Sequence, residues 1–213
     1  MPARTTDADL MALARAIAAG DSTSAIRLLT RSPALASARF EVGATRQIER
    51  PYYLEEIGRH LYAGDTGLHI AAAAYRTDLL HELLVRGANV RAKNRRGAEP
   101  LHVAVSGQPG SARWNPSAQA ATIACLIDAG ADPDAVNQDG VAPLHIAART
   151  RCAAAVGALL AGGADVQRKN KNGSTPMWLA THSTGRGGSG SAEAKAEQAE
   201  IVRLLQQYGA CAP

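Results

Sequence analysis

The chain has 213 residues, 46% hydrophobic and only 4% aromatic, with a formal net charge of +4. That excess is too small to mark a nucleic-acid binder without a concentrated basic patch, and no apolar run reaches the roughly 18 residues of a membrane span. Three cysteines, Cys125, Cys152 and Cys211, show neither metal-ligand spacing nor a paired framework, which fits a reducing, cytoplasmic setting. The N-terminus lacks the apolar stretch of a Sec signal. A core so poor in aromatics must be built from Ala, Leu, Ile and Val, which suits thin helices packed closely.

Residues 1–7 read as a short polar tail. Between residues 8 and 38 the pattern predicts two helices. The first starts near Asp7 or Asp9, turns Leu10, Leu13, Ala14 and Ile17 inward and stops at Gly20. The second carries Ile26, Leu28 and Leu29 and ends before Pro33. Residues 40–61 read as an insertion. Within it the stretch from Pro51 through Ile57 to Leu61 predicts a short amphipathic helix.

From residue 62 onward two markers recur in phase. Gly64-Asp65-Thr66-Gly67-Leu68-His69-Ile70-Ala71-Ala72 is followed by Gly97-Ala98-Glu99-Pro100-Leu101-His102-Val103-Ala104. Then come Gly140-Val141-Ala142-Pro143-Leu144-His145-Ile146-Ala147-Ala148 and Gly173-Ser174-Thr175-Pro176-Met177-Trp178-Leu179-Ala180. The glycine steps are 33, 43 and 33 residues. Gly87-Ala88-Asn89, Gly130-Ala131-Asp132, Gly163-Ala164-Asp165 and Gly209-Ala210 keep the same phase, the signature of a repeat architecture. The units are 62–93, 94–136, 137–169 and 170–213. In the first, Thr66 is placed to cap an inner helix, Leu79, Leu80, Leu83 and Leu84 stripe an outer one, and Gly87 ends it. Extra residues at 107–116 and 183–191, rich in Gly, Pro or Ser, read as helix–helix loops. A last helix over about 193–208 turns Ile201, Val202, Leu204 and Leu205 inward and Gln198, Glu200, Arg203 and Gln206 outward.

These markers resemble the ankyrin repeat, whose hallmark is Thr-Pro-Leu-His-x-Ala followed by a Leu-Leu-x-x-Gly-Ala helix end. The resemblance implies one all-α domain over 1–213, an α-solenoid of about five helix-turn-helix repeats with short β-turn fingers. Residues 8–38 would be a divergent N-terminal capping repeat. It also implies a non-enzymatic protein-interaction module that binds a folded partner, with no cofactor, acting as a monomer. His69, His102 and His145 would hold turns and tie neighbouring units. Successive imidazoles on helices stacked about 10 Å apart are too distant to share one metal at about 2 Å each. Trp178 stands where the fourth His would be and is expected to pack against the last helix.

Other chemistry is thin. Gly185 to Gly190 lacks the Gly-Lys-Ser/Thr ending of a phosphate loop, and Glu55 and Glu56, adjacent on a helix, would not face each other. Asn172-Gly173-Ser174 reads as turn chemistry, and Cys125 and Cys152 as small buried hydrophobes. No catalytic or metal-binding set is expected.

In the ankyrin resemblance, recognition uses finger tips and inner-helix edges. The matching positions give Lys93, Arg95 and Arg96 on one finger, Gln138 and Asp139 on the next, and Lys169, Lys171 and Asn172 on the third. Arg149 falls on an inner-helix edge. Two of these fingers are basic, which fits an acidic protein surface. Nucleic acid does not fit, because the tips carry no aromatic platform for bases. Trp114, in a Gly/Pro loop, either folds back or anchors a partner. Composition rich in Ala, Arg and Gly points to a bacterial source. Two other functions remain: an effector or immunity-type protein acting on a target in or from another cell, and an enzyme with its site in the 40–61 insertion.

Overall fold

The structure, a computed structural model, describes residues 7–107, 109, 111–182 and 192–210. Of the expected tail over residues 1–7 only Asp7 is described, and it opens a helix; the rest of the tail, the loop at 183–191 and Cys211 lie outside the described residues. The chain divides into two compact units, Met1–Pro100 and Leu101–Pro213. All-α helix pairs dominate both, as the repeat pattern predicts.

In the first unit, Asp7 and Asp9 open α1 (Asp7–Ala19), where the helix dipole favours carboxylates. Leu10, Leu13, Ala14 and Ile17 form its buried face, as expected. α2 (Ser22–Arg31) is capped by Asp21, whose carboxylate accepts from the Ser24 N–H at 2.9 Å. Its buried residues are Ala25 and Leu29, four apart. Ile26, expected inward, is 41% exposed, because one helical step of about 100° turns it off that face. α3 (Gly67–Ala73) and α4 (Thr77–Val85) form the second pair, with α1 against α3 and α2 against α4. Leu79, Leu80 and Leu83 of the expected stripe are buried, and Leu84 is half-buried.

The 40–61 insertion leaves and rejoins this unit beside Thr66. Arg39 bridges Thr66, and Phe40 exchanges backbone bonds with Gly64 and Asp65. The helix expected after Pro51 is not formed. Two short 3-10 turns flank strand β1 (Tyr53–Leu54), which pairs antiparallel with β2 (Arg59–His60). Only a few residues separate Pro51 from Gly58, whose φ of +60° suits a tight reversal, and so short a segment cannot sustain a helix alone. Phe40, Ala44, Leu54 and Leu61 bury their side chains there, and Arg59 reaches the buried Asp65 carboxylate at 3.5 Å.

In the second unit, proline starts α6 (Pro116–Asp128), α7 (Pro143–Thr150) and α9 (Pro176–Thr181), where its missing N–H costs nothing. α5 (Pro100–Ala104), α8 (Ala153–Ala161) and α10 (Ala192–Gln207) complete it. α8 packs against α6 and α7, and α10 against α8 and α9. α10 buries Ala194, Ile201 and Leu205. Gln198, expected outward, lies on that same face by helical spacing. It is accommodated by bonding at both ends: its amide N–H donates to the Ala180 carbonyl at 2.8 Å, and its oxygen accepts from buried Arg151 at 2.6 Å. Gln198→Ala is therefore expected to lower stability by about 1–3 kcal/mol, because Arg151 and Ala180 lose this partner inside the protein. Urea denaturation measures it, and an unchanged midpoint would show the bonds contribute nothing.

The signature histidines behave as the resemblance implies. In the first unit the backbone N–H of Thr66 donates to His69 Nδ1 at 3.1 Å, so that nitrogen must be the acceptor. The proton then sits on Nε2, which donates to the Ala98 carbonyl at 3.0 Å. In the second unit His145 repeats this, with Ala142 N–H at Nδ1 and the Arg168 and Ser174 carbonyls at Nε2. His102 Nε2 likewise meets the Val141 carbonyl at 3.2 Å. Burial pushes His69 and His145 below their ordinary 6.5, against the opposing pull of Asp65 on His69 and of accepting carbonyls on both. The unfolded chain therefore takes up protons near 6.5 that the folded chain refuses. Stability is full above that pH and is lost as pH falls below it. The urea midpoint should drop between pH 8 and pH 5, and drop less for His69→Gln, whose amide does not titrate.

Candidate partner-binding groove

Three asparagines in the repeat phase build the turns. In the first unit Asn94 Oδ1 accepts from the N–H groups of Arg96 and Ala98, at 2.9 and 3.1 Å. In the second, Asn137 Oδ1 accepts from Asp139 and Val141, both at 3.0 Å, and Asn170 Oδ1 from Asn172 and Ser174, at 2.9 and 3.0 Å. Each amide oxygen holds two backbone donors, which gives the same rigid turn three times. Asn172-Gly173-Ser174, read as turn chemistry, is the tip of such a turn, with Gly173 at a φ of +76° and Asn170 holding it.

The two turns of the second unit wall a groove of about 950 Å³. Asp139 and Val141 stand on one side, Asn172 and Thr175 on the other, with Arg149 from α7 and Trp178 from α9 between them. Among the predicted binding residues, Asp139, Arg149 and Asn172 are thus brought together. Lys171 bridges the turns by donating its ammonium to the Gln138 carbonyl. Gly140 has a φ of +68°, and a Cβ there would collide with the stem of Lys171. Lys169 is exposed, directly before the groove residue Asn170.

Trp178 is the residue that the sequence reading misplaced. It lines the groove with 42% of its surface exposed rather than filling space beneath the last helix. Its indole stacks on His182, ring centroids 4.3 Å apart and 12° from parallel. The sequence signal was present: His at the other three signature positions is a small ring that fits a buried tie, and an indole there must turn outward.

The remaining predicted residues lie elsewhere. In the first unit the guanidiniums of Arg95 and Arg96 lie 4.8 and 4.7 Å from the centre of the Tyr62 ring, within cation–π range. Lys93 is exposed and stands 3.7 Å from Glu99, whose carboxylate is buried. Trp114 folds back: its indole N–H donates to Gln119 Oε1 at 3.0 Å, and the Gln119 amide donates to the Ala104 carbonyl at 3.0 Å. Cys152 is buried and Cys125 half-buried, and burial pushes both thiols up, away from the reactive thiolate. Among the described residues no group of His, Cys, Asp and Glu is arranged to hold a metal.

Helix pairs, asparagine-held turns and histidine ties between them define an all-α repeat protein. A family model of ankyrin repeats in three copies matches residues 116–212, and a single ankyrin-repeat model matches residues 63–95. The chain belongs to the ankyrin-repeat family. A search of curated proteins found no match.

Asn170→Ala should cost about 0.5–1.5 kcal/mol, because an exposed and a half-buried turn N–H exchange their side-chain acceptor for water. Thermal unfolding measures the cost. Proteolysis at the turn, faster than in the parent chain, would report the loosened wall.

Proposed function

We propose that this chain is a non-enzymatic module that binds another protein, and that the groove of the second unit is its principal working surface. Ankyrin repeats as a family mediate protein–protein interaction. The observation that carries the finer reading is Trp178, a large apolar ring held open between two rigid turns. Exposed, well-positioned Trp side chains are frequent anchors of binding energy. Walls already ordered by Asn137 and Asn170 lose little conformational entropy on binding. Arg95 and Arg96, gathered on Tyr62 in the first unit, and Lys169 and Lys171 in the second favour a partner with an acidic surface.

We also take the chain to act in the cytoplasm as a monomer. Neither Cys125 nor Cys152 is in a disulfide, and the outward residues Glu200 and Arg203 of α10 are charged and paired with each other. Among the described residues no helix is long and apolar enough to cross a membrane. In the 40–61 insertion His60 lies 3.8 Å from Glu49 at the surface and its ring packs against Tyr53, an ion pair and a ring contact that suffice to hold the hairpin.

The test is capture from extract of the source cell, run with the parent chain, with Trp178→Ala, and with Arg95, Arg96 and Lys169 changed to Glu. A partner retained by the parent chain should be lost with Trp178→Ala and weakened at least about tenfold by charge reversal, with reduced salt dependence. A partner held equally by all three would move the interaction off these surfaces.

A further inference from the structure

We propose that the groove of the second unit takes an extended acidic peptide segment, with an apolar side chain laid on Trp178 and a carboxylate on the Arg149 side. This rests on the reading of that groove as the working surface and names what it holds.

The chemistry follows from the walls. A groove of about 950 Å³ lies at the upper end of the roughly 300–1,000 Å³ typical of ligand clefts, room for several residues rather than one side chain. His182 covers one face of the Trp178 indole and braces the ring, which keeps 42% of its surface exposed. An aliphatic or aromatic side chain is the natural cover for such a ring. The N–H groups of Asn172 and Ser174 are consumed by Asn170 Oδ1, so that wall cannot add a strand by main-chain pairing. Recognition there falls to side chains: Asn172, Ser174 and Thr175 as polar contacts, and charge.

The lining itself is balanced, one cation against one acid, and the positive excess comes from two lysines beside it. Arg149 lines the groove, Lys169 precedes it and Lys171 is pinned across its rim on the Gln138 carbonyl. Among the described lining residues Asp139 is the only acid. A carboxylate-bearing peptide is attracted to the cationic side, and a basic one is repelled. A nucleic-acid strand is a poorer match, because a single ring gives one stacking platform and Asp139 opposes a run of phosphates.

The test uses the full chain carrying Trp114→Phe, which leaves Trp178 as its one indole. Four probes are titrated while indole emission is followed: a blocked hexapeptide alternating glutamate with leucine, its glutamine and lysine counterparts, and a short oligothymidylate. The glutamate peptide is expected to saturate the emission change, to bind at least about tenfold more tightly than the glutamine peptide, and to weaken with salt. Arg149→Gln should abolish the preference for glutamate over glutamine. Trp178→His, which restores the residue type of the other three signature positions and so keeps the fold, should weaken both peptides in calorimetry. Equal affinity for glutamate and glutamine peptides, or tighter binding of the oligothymidylate, overturns the proposal. If no peptide binds, capture by the parent chain and by Trp178→His separates the two failures. Capture lost with Trp178→His leaves the groove as the working surface and rejects the acidic peptide. Capture unchanged rejects the groove itself.

Discussion

A neutral imidazole tied at both nitrogens is the constraint on which the rest depends. His69 and His145 each accept a backbone N–H at Nδ1 and donate from Nε2 to a carbonyl of the following turn. The first bond fixes the tautomer and the second spends the proton it leaves. Each inner helix thereby positions a turn far away in sequence, and the turn's own asparagine then makes it rigid. Protonation would place an N–H against an N–H, which is why these rings must stay neutral and buried.

The candidate site arises where that device lapses. At the fourth signature position the ring is an indole, which has no acceptor nitrogen to receive a backbone donor. Trp178 leaves the buried position its counterparts hold and becomes a face of the groove, braced by His182. The groove's walls are still set by the histidine ties of the same unit. Scaffold and groove thus come from one repeated motif, three times kept and once altered.

Charge on the turns is organised rather than scattered. In the first unit two guanidiniums share the Tyr62 ring, and in the second Lys171 is anchored to the neighbouring turn. Cations held in place lose less entropy on meeting a carboxylate than cations on mobile stems. The same anchoring makes Lys171 a part of the wall as well as a charge.

Much of the fold was legible in sequence because each repeat is a local unit. The glycine and histidine markers in their repeating phase and the leucines at helical spacing act within a few residues of themselves. So the helices, their ends and the structural role of the histidines could be read directly. Three features were decided by tertiary structure. The insertion became a hairpin, because Gly58 reverses the chain and Phe40, Leu54 and Leu61 find a core only when residues 39–66 close on themselves. Gln198 became half-buried and bonded at both ends, because whether a polar residue can sit beside a packed face depends on Arg151 and Ala180, distant in the chain. Trp178 became the groove's ring, because the space beside it belongs to turns contributed from positions 139 and 172. Sequence alone determined the repeating unit, whose bonds are local; only the packed structure decided which faces were open, since exposure belongs to the neighbours that a residue acquires on folding.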